Sequence, residues 1–286
     1  MSLVIGVPST LYARARRMAR IWTLGWKRIG TQAQFYGYTI RSIGDALRNY
    51  RAEIMRLIAQ MSLGTGALAL IGGTVVVVGF LTLSAGALIA AQGYNQLSGV
   101  GVEALTGFVS AYLNVRIIAP VTAGIALAAT IGAGATAQLG AMRIAEEIDA
   151  LEVMGVRSVA YLASTRVFTG VLVVIPLYCI AVLMAFTAAR LGTTVVYGQS
   201  SGVYDHYFDT FLIPTDLLWS FVQTIAMAVV VMLVHTYYGY TATGGPAGVG
   251  EAVGRAVRAS LVSAVFVCLF VSLAIYGQSG NFHLSS

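Results

Sequence analysis

The stretch "EEIDALEVMG", residues 146–155, places four carboxylates within seven positions: Glu146, Glu147, Asp149 and Glu152. Long apolar runs lie on both sides of it, in a chain of 286 residues that has only 11 acids. An acid at the centre of a bilayer costs about 2.5–3.5 kcal/mol on insertion scales, so this stretch marks water between two apolar segments. Ile144, Ile148 and Leu151 recur at helical spacing beside the acids, which predicts a short amphipathic helix at about 143–156.

The composition places the whole chain in the membrane class. It is 58% hydrophobic and 10% charged, whereas soluble domains carry roughly 25% charged residues. No segment alternates apolar and polar residues in the manner of a barrel strand, so helices are the remaining way to cross a bilayer. The sequence therefore predicts an all-α integral membrane protein.

Five apolar runs are long enough to span a bilayer, which takes about 20 residues. They lie at about 62–91, 105–138, 160–190, 216–239 and 257–277. Residues 1–60 precede them and mix basic with aromatic and apolar side chains, which is typical of a region on the membrane surface. We therefore divide the chain into an amphipathic interfacial region, 1–60, and a five-helix domain, 61–286.

Basic residues in the connections predict the orientation. Ten of the 17 precede the first span, and the connections 139–159 and 240–258 hold two each. The connections 92–104 and 191–215 and the tail after 277 hold none. Cytoplasmic loops carry the excess of Lys and Arg, so we expect a multi-pass protein with a cytoplasmic N-terminus and an extracytoplasmic C-terminus.

Catalytic and cofactor motifs are missing from the sequence. "GTGALALIGG" (64–73) lacks the G-K-[ST] ending of a phosphate-binding loop, and His206, His235 and His283 are isolated from one another. Cys179 and Cys268 fall in apolar runs without disulfide or metal spacing. We therefore expect no catalytic group, no metal and no cofactor bound by this chain, and no nucleic-acid partner.

Two features of the second span lead to predictions about its charge and its packing. Arg116, toward its outer end, is either a functional intramembrane charge or an arginine that extends to the outer interface. Gly124, Ala128 and Gly132 follow a small-x-x-x-small spacing, which predicts a face for close contact with another helix.

The acidic helix itself has two interpretations. It is either a solvated connection between two spans, or a rigid acidic element that docks into a basic groove of a cytoplasmic partner. In the second case, charge complementarity would steer the encounter and fix its register.

Two segments resemble the MlaE/YrbE family of ABC-transporter permeases. "LGAMRIAEEIDALEVMGV" (139–156) resembles the signature of the family, and "YYGYTATGGPAGVGEAVGRAV" (237–257) resembles its second cytoplasmic segment. The likeness extends from about residue 35 onward. The tail is most similar to B-type YrbE subunits of actinobacterial Mce systems, and 198–221 to the branch that imports sterols.

The resemblance implies a five-span permease of the bacterial inner membrane with an N-terminal interfacial helix, paired with an A-type YrbE paralogue. Two separate ATPase subunits, which hold ATP and Mg, would drive transport of a hydrophobic lipid: a sterol such as cholesterol, or a fatty or mycolic acid. The family's coupling helix, which enters a groove of the ATPase, corresponds here to Glu146, Glu147, Asp149, Leu151, Glu152, Met154 and Gly155. MCE-domain proteins would bind outside.

The chain departs from the family pattern at charged positions. The family's R-E-x-x-P motif reads Arg116-Ile117-Ile118-Ala119-Pro120 here, so its carboxylate is absent. Thr130 and Gln138 stand where the family has an arginine and an acid. These losses fit a heterodimer whose partner supplies the charges, or an uncharged substrate such as a sterol.

The outward segment 192–215 is rich in aromatic residues and has no basic one. It is either an aromatic belt at the membrane interface or a seat for MCE proteins, with four contact candidates: Tyr204, Tyr207, Phe208 and Phe211. Two alternatives to the permease function stay open. They are a secondary lipid carrier, disfavoured because no carboxylate lies at the centre of a span, and a membrane scaffold that anchors an extracellular assembly.

Overall fold

A computed structural model describes residues 26–27, 29–63 and 69–276, and the regular structure in these residues is helical. Some predicted segments lie outside the described residues. They are residues 1–25 and 28 of the proposed interfacial region, residues 64–68 of the predicted first span, and the tail 277–286. The expectation of an all-α protein is confirmed.

In the part of residues 26–63 that the structure describes, three short helices precede the spans: α1 (29–41), α2 (Ile43–Asn49) and α3 (Arg51–Leu63). They pack on the bundle through buried apolar side chains, of which Ala46 and Leu57 are fully covered. A buried hydrogen bond joins α1 to the third span, because the Ser164 hydroxyl donates to the carbonyl oxygen of Thr39 at 2.8 Å. Met55, by contrast, points outward with 66% of its surface exposed. The three helices are therefore amphipathic supports of the bundle.

Among the described residues, five longer helices are apolar enough to cross a membrane, as predicted. They are α4 (Ala69–Ser98), α5 (Glu103–Ile144), α7 (Val159–Val196), α9 (Pro214–Tyr240) and α10 (Gly245–Tyr276), here called spans 1 to 5. Two short helices connect them: the acidic helix α6 (Glu147–Val153) and the outer helix α8 (Ser201–Phe211). The bundle thus has an acidic end, which holds α1–α3 and α6, and a far end, which holds α8.

Span 5 begins about twelve residues earlier than the sequence pattern indicated, since helix replaces most of the expected connection 240–258. Gly244 and Gly245 form the turn before it with φ of 92° and 69°, which side chains larger than glycine rarely adopt. Pro246 follows at the start of the helix, where the missing N–H is not needed. The glycine-rich segment therefore makes a tight turn between spans 4 and 5.

Small residues of span 2 bring it against span 4, as their spacing predicted. A Cβ built on Gly124 would lie 2.6 Å from the Met227 side chain, and one on Gly132 would lie 2.5 Å from the ring of His235. Ala128 between them is fully buried. The predicted contact face is confirmed, with span 4 as its partner.

His235 joins three spans through hydrogen bonds. Its Nδ1 lies 2.7 Å from the Thr136 hydroxyl of span 2, and its Nε2 lies 3.0 Å from the Ser260 hydroxyl of span 5. The imidazole is fully buried. Because both ring nitrogens have partners, this histidine has a structural role in the bundle.

Candidate functional site: the acidic helix

The acidic helix is separated from span 2 by a residue in an unusual backbone conformation. Glu146 has φ 58° and ψ 13°, the left-handed region that is uncommon for residues other than glycine. The helical backbone of span 2 is interrupted at this point, so α6 is a separate helix and not a continuation of span 2. The four carboxylates of the sequence therefore lie around a short helix outside the bundle.

One fully buried side chain anchors α6 to the bundle. Ile148 packs between Leu139 of span 2 and Leu162 of span 3, and Leu151 lies half-buried against the same cluster. Ile144, the third residue of the predicted apolar face, is 37% exposed. The predicted stripe is thus correct for two of its three residues; Ile144 falls outside α6 because the chain turns at Glu146.

Glu152 has a different environment from the other acids of the stretch. Its Oε1 accepts hydrogen bonds from the Ser158 hydroxyl at 2.5 Å and the Tyr240 hydroxyl at 3.1 Å. Ser158 and Tyr240 also lie within hydrogen-bond distance of each other, at 2.7 Å. Glu152 therefore ties α6 to the adjoining ends of spans 3 and 4, a connection that residue spacing alone does not indicate.

Gly155 ends the helix in a Schellman arrangement. Its N–H donates to the carbonyl of Glu152 at 3.0 Å, and the Val156 N–H donates to the carbonyl of Leu151 at 3.0 Å. Gly155 has φ 79°, which a residue with a Cβ rarely adopts. This predicted coupling residue thus has a backbone role, which fixes the direction of the chain after the helix.

The end of α6 presents apolar side chains to the surroundings. Val153 and Met154 are 89% and 68% exposed. Exposed apolar groups at the tip of a rigid projection are typical of a surface that another protein covers. Sequence reasoning included Met154 but missed Val153, although the apolar pair beside the acids was visible in the sequence.

Three acids of the stretch, Glu146, Glu147 and Asp149, are exposed on the N-terminal half of α6. Asp149 pairs with Arg143, with 2.6 Å between Oδ1 and Nη1. Among the residues that the structure describes, no hydrogen bond or ion pair involves the side chains of Glu146 and Glu147. These two exposed carboxylates are therefore free to meet basic groups of a partner.

A charged contact connects the segment after α6 to the N-terminal helices. A cavity of about 390 Å³ lies beside α6, lined by Tyr38 of α1, Glu152 and the segment 155–159. At its margin Arg157 and Asp45 of α2 form an ion pair of 2.9 Å. The segment that follows α6 is therefore tied to α2 and lies beside α1.

Arg116 lies at the far end and has a carboxylate partner. Its Nε and Nη2 donate to Oδ2 of Asp216 in the first turn of span 4, at 3.0 and 2.6 Å, and both side chains are mostly buried. The guanidinium carbon also lies 4.1 Å from the ring centroid of Tyr112. Arg116 therefore joins spans 2 and 4. The sequence did not indicate Asp216 as the partner of Arg116, because an acid shortly after a proline is also typical of the start of a helix.

The backbone around Arg116 is shaped by Pro120. Residues Asn114–Ile118 form a π-helical turn before the proline, which has no N–H to donate. The carbonyl of Val115 accepts a hydrogen bond of 2.5 Å from the Ser220 hydroxyl of span 4. A neighbouring span thus satisfies the carbonyl that the proline leaves free, as membrane helices require.

The outer helix α8 turns most of its aromatic residues toward the bundle. Tyr204 is 1% exposed, and its hydroxyl donates to Ser110 Oγ of span 2 at 2.8 Å. Phe208 packs on Phe186 of span 3, and Phe211 on Phe108 of span 2. Tyr204 is therefore covered by its own chain and is not a contact candidate in this conformation.

The outward face of α8 consists of other residues. Val203 is 39% exposed, His206 and Thr210 are exposed, and Tyr207 is half-buried. The helix lies very close to span 2, because a Cβ on Gly107 would lie 2.4 Å from the carbonyl oxygen of Tyr204. The sequence therefore indicated an aromatic outward segment, but it did not indicate which face of α8 is exposed.

The two positions that depart from the family pattern lie on span 2. The Thr130 hydroxyl donates to the carbonyl of Ala126 at 2.6 Å, within its own helix. Gln138 is exposed. Neither residue places a charge in the bundle.

In a comparison with protein families, residues 64–274 match the model described as permease MlaE. The chain is 30% identical to the chloroplastic protein TRIGALACTOSYLDIACYLGLYCEROL 1 of Arabidopsis thaliana over 192 residues, which are 66% of this chain and 54% of that protein. It is 28% identical to a probable ABC transporter permease of Rickettsia bellii over 181 residues, 63% of this chain and 70% of that protein. The match thus spans about half of the plant protein.

Proposed function

The chain belongs to the MlaE family of permeases, and we propose that it is the membrane subunit of an Mce-type ABC transporter that moves a hydrophobic lipid across the bacterial inner membrane. A separate ATPase would dock on the acidic helix and drive transport. The plant relative is named after a glycerolipid, and the Rickettsia relative is named a probable ABC transporter permease. Both names favour this proposal.

The observation that carries the proposal is the construction of α6. A buried isoleucine, Ile148, and a hydrogen-bonded acid, Glu152, fix the helix to three spans. Its C-terminal end carries the exposed Val153 and Met154, and its N-terminal end carries the free carboxylates of Glu146 and Glu147. A helix that only connected two spans would gain nothing from an apolar tip, whereas apolar anchors with a charged rim are typical of protein interfaces.

Orientation and partners follow as parts of the proposal. The acidic end would face the cytoplasm, where ATP is available, and the far end would face outward. An A-type YrbE paralogue would complete a heterodimer and supply the charges that Thr130 and Gln138 lack. MCE-domain proteins would bind at the far end, on the face of α8 that carries Val203, Tyr207 and Thr210.

The proposal about the substrate has two parts: the substrate is a hydrophobic lipid, and this lipid is uncharged. A hydrophobic lipid follows from the family and from the apolar bundle. An uncharged lipid such as a sterol is favoured over an anionic one because positions that are charged in the family are neutral in this chain. Arg116, the one arginine in the outer half of span 2, is engaged by Asp216 and is already neutralised there.

The experiment that tests the proposal is charge reversal at the N-terminal end of the acidic helix. Glu146→Lys with Glu147→Lys should release the ATPase from the purified complex and abolish ATP-driven lipid transfer, while the variant stays folded, because exposed charges contribute little to stability. Glu251→Lys is the matched control, an exposed acid at the same end that pairs only with Arg255 of its own helix. Unchanged ATPase binding in the double variant would refute the docking role, and lipid transfer without any ATPase would favour a secondary carrier.

A further inference from the structure

A cavity of about 350 Å³ lies at the far end between span 3 and the outer helix α8. One wall is a face of span 3, with Phe186, Thr187, Arg190 and Leu191. The opposite wall is a face of α8, with Tyr204, Asp205, Phe208 and Asp209. Binding sites for small molecules occupy about 300–1,000 Å³, so this cavity has room for part of a lipid.

The polarity of the cavity changes along span 3. Phe186 and Phe208 pack edge to face at its inner part, with ring centroids 4.9 Å apart. Arg190 lies one turn farther toward the far end, about 6 Å along the helix axis at 1.5 Å per residue. The cavity is therefore apolar on the side of the membrane and charged on the outer side, which is the order of groups in a lipid of the outer leaflet.

Exposed side chains connect the cavity with the lipid-facing surface. Leu183, Thr187 and Leu191 follow one another on the same side of span 3, and the two leucines are 61% and 51% exposed. An apolar chain in the membrane can therefore lie along span 3 with its polar end in the cavity.

The charges at the outer side select the kind of polar group. Arg190 binds Asp205 with two hydrogen bonds of 2.8 and 2.7 Å, so its charge is already matched. Asp209, one helical turn after Asp205, adds a second carboxylate. The three groups sum to a net charge of −1, which repels an anionic head group and accepts hydrogen bonds from a hydroxyl.

We propose that this cavity binds the polar end of an uncharged lipid that carries a hydroxyl group, at the level of the outer leaflet. The inference rests on the proposed function, because a lipid permease needs a place where its cargo enters or leaves the membrane at the far end. It adds a site, separate from the acidic helix, at which the lipid class is selected.

Photocrosslinking in lipid nanodiscs tests the proposal with the purified transporter complex and no nucleotide. The probes are photoreactive cholesterol, photoreactive diacylglycerol and a photoreactive fatty acid, at about pH 8, where a carboxyl group is ionised. Mass spectrometry locates the adducts. We expect both hydroxyl lipids to label 186–191 and 204–209, and the fatty acid to label them about fivefold less, because its charge is repelled. A difference between the first two probes identifies the source of the hydroxyl.

Two variants sharpen the test. Leu191→Trp should fill the cavity and reduce this labelling about fivefold, whereas Leu218→Trp, a similarly exposed leucine at the far end of span 4 that does not line the cavity, should leave it unchanged. Asp209→Asn removes one carboxylate from an exposed position and should abolish the discrimination against the fatty acid. This second variant keeps the test valid where Leu191→Trp fails to fold.

Several results would overturn the proposal. Equal labelling by the fatty acid, full labelling of Leu191→Trp, or adducts spread evenly over the exposed surface of span 3 each exclude a selective site. Missing adducts together with intact ATP-driven transport refute the cavity site alone. Specific adducts without ATP-driven transport refute the proposed function and support the site.

Discussion

The two short helices at opposite ends of the bundle present different kinds of side chain to their surroundings. The acidic helix α6 exposes the apolar tip Val153 and Met154 at its C-terminal end and free carboxylates at its N-terminal end. The outer helix α8, which is richer in aromatic residues, covers Tyr204 almost completely and packs Phe208 on span 3. The helix with the more polar sequence, α6, therefore exposes apolar groups. The helix with the more apolar sequence, α8, packs its apolar groups against its own chain.

The difference follows from how each helix is attached. α6 has seven residues, of which only Ile148 is fully buried, so Val153 and Met154 at its C-terminal end stay exposed. α8 has 11 residues and lies flat against Gly107 of span 2, so a whole face is covered. Composition indicates that a short helix is amphipathic, whereas the supporting surface decides which side chains remain available to a partner.

The largest effect is expected from the buried aromatic ring of α8. Tyr204→Ala should lower the free energy of unfolding by about 3–5 kcal/mol, because it removes a fully buried large side chain and leaves a cavity. Denaturant titration in mixed micelles measures the change. Tyr207→Ala, half-buried on the same helix, should cost much less, and equal losses for the two variants would contradict the orientation of α8 described above.

The next effect concerns Ile148, the apolar anchor of α6. Ile148→Ala should destabilise the attachment of α6 by about 2–5 kcal/mol, the usual range for a buried isoleucine, and should also weaken ATPase binding. Val153→Ala should weaken ATPase binding with no measurable change in stability, since its side chain is already exposed. Hydrogen exchange of 146–156 measures the attachment of α6, and co-purification measures ATPase binding. If both variants behave identically in the two measurements, Ile148 and Val153 do not have different roles.

A smaller effect is expected from the ion pair at the far end. Asp216→Asn should cost about 1.5–3 kcal/mol, because it leaves the mostly buried guanidinium of Arg116 with a weaker partner. Asp209→Asn, an exposed carboxylate at the same end, should change the stability little and serves as the control. If both variants have the stability of the unaltered chain, Arg116 does not join spans 2 and 4 in the membrane.

The smallest effect is a pH dependence of α8. The hydrogen bonds from Arg190 lower the pKa of Asp205 below its ordinary value of 3.8. A carboxyl group with a lowered pKa in the folded state stabilises that state above its unfolded pKa, and the contribution is lost as the pH falls through the folded pKa. The exposed pair should therefore loosen only in acid below about pH 4, and less so at high salt.

Comparison with Asp205→Asn isolates this effect from the titration of other carboxylates. The difference in stability between the unaltered chain and the variant should be small at neutral pH and disappear in acid. A difference that grows as the pH falls would have the wrong sign and would contradict the pairing of Asp205 with Arg190.

Some features of the candidate site follow from the sequence because they depend on local spacing. Ile148 and Leu151 form the buried side of α6 as their positions predicted, and the acids lie off that side. The contact face of Gly124, Ala128 and Gly132 follows in the same way, since helical periodicity places these residues together whatever the partner is. The partner residue itself, such as His235 for Gly132, lies about a hundred positions away and has no local signal.

The sequence by itself determined the membrane class, the five spans and the position of the acidic stretch, because long apolar runs and the cost of burying charge act on each segment separately. Only the tertiary structure decided what each polar residue does. Glu152 became an anchor through Ser158 and Tyr240, and Arg116 gained Asp216 from another span. Such pairings depend on which helix ends meet in space, and that is set by the packing of the whole bundle and by the turns at Glu146 and Gly155.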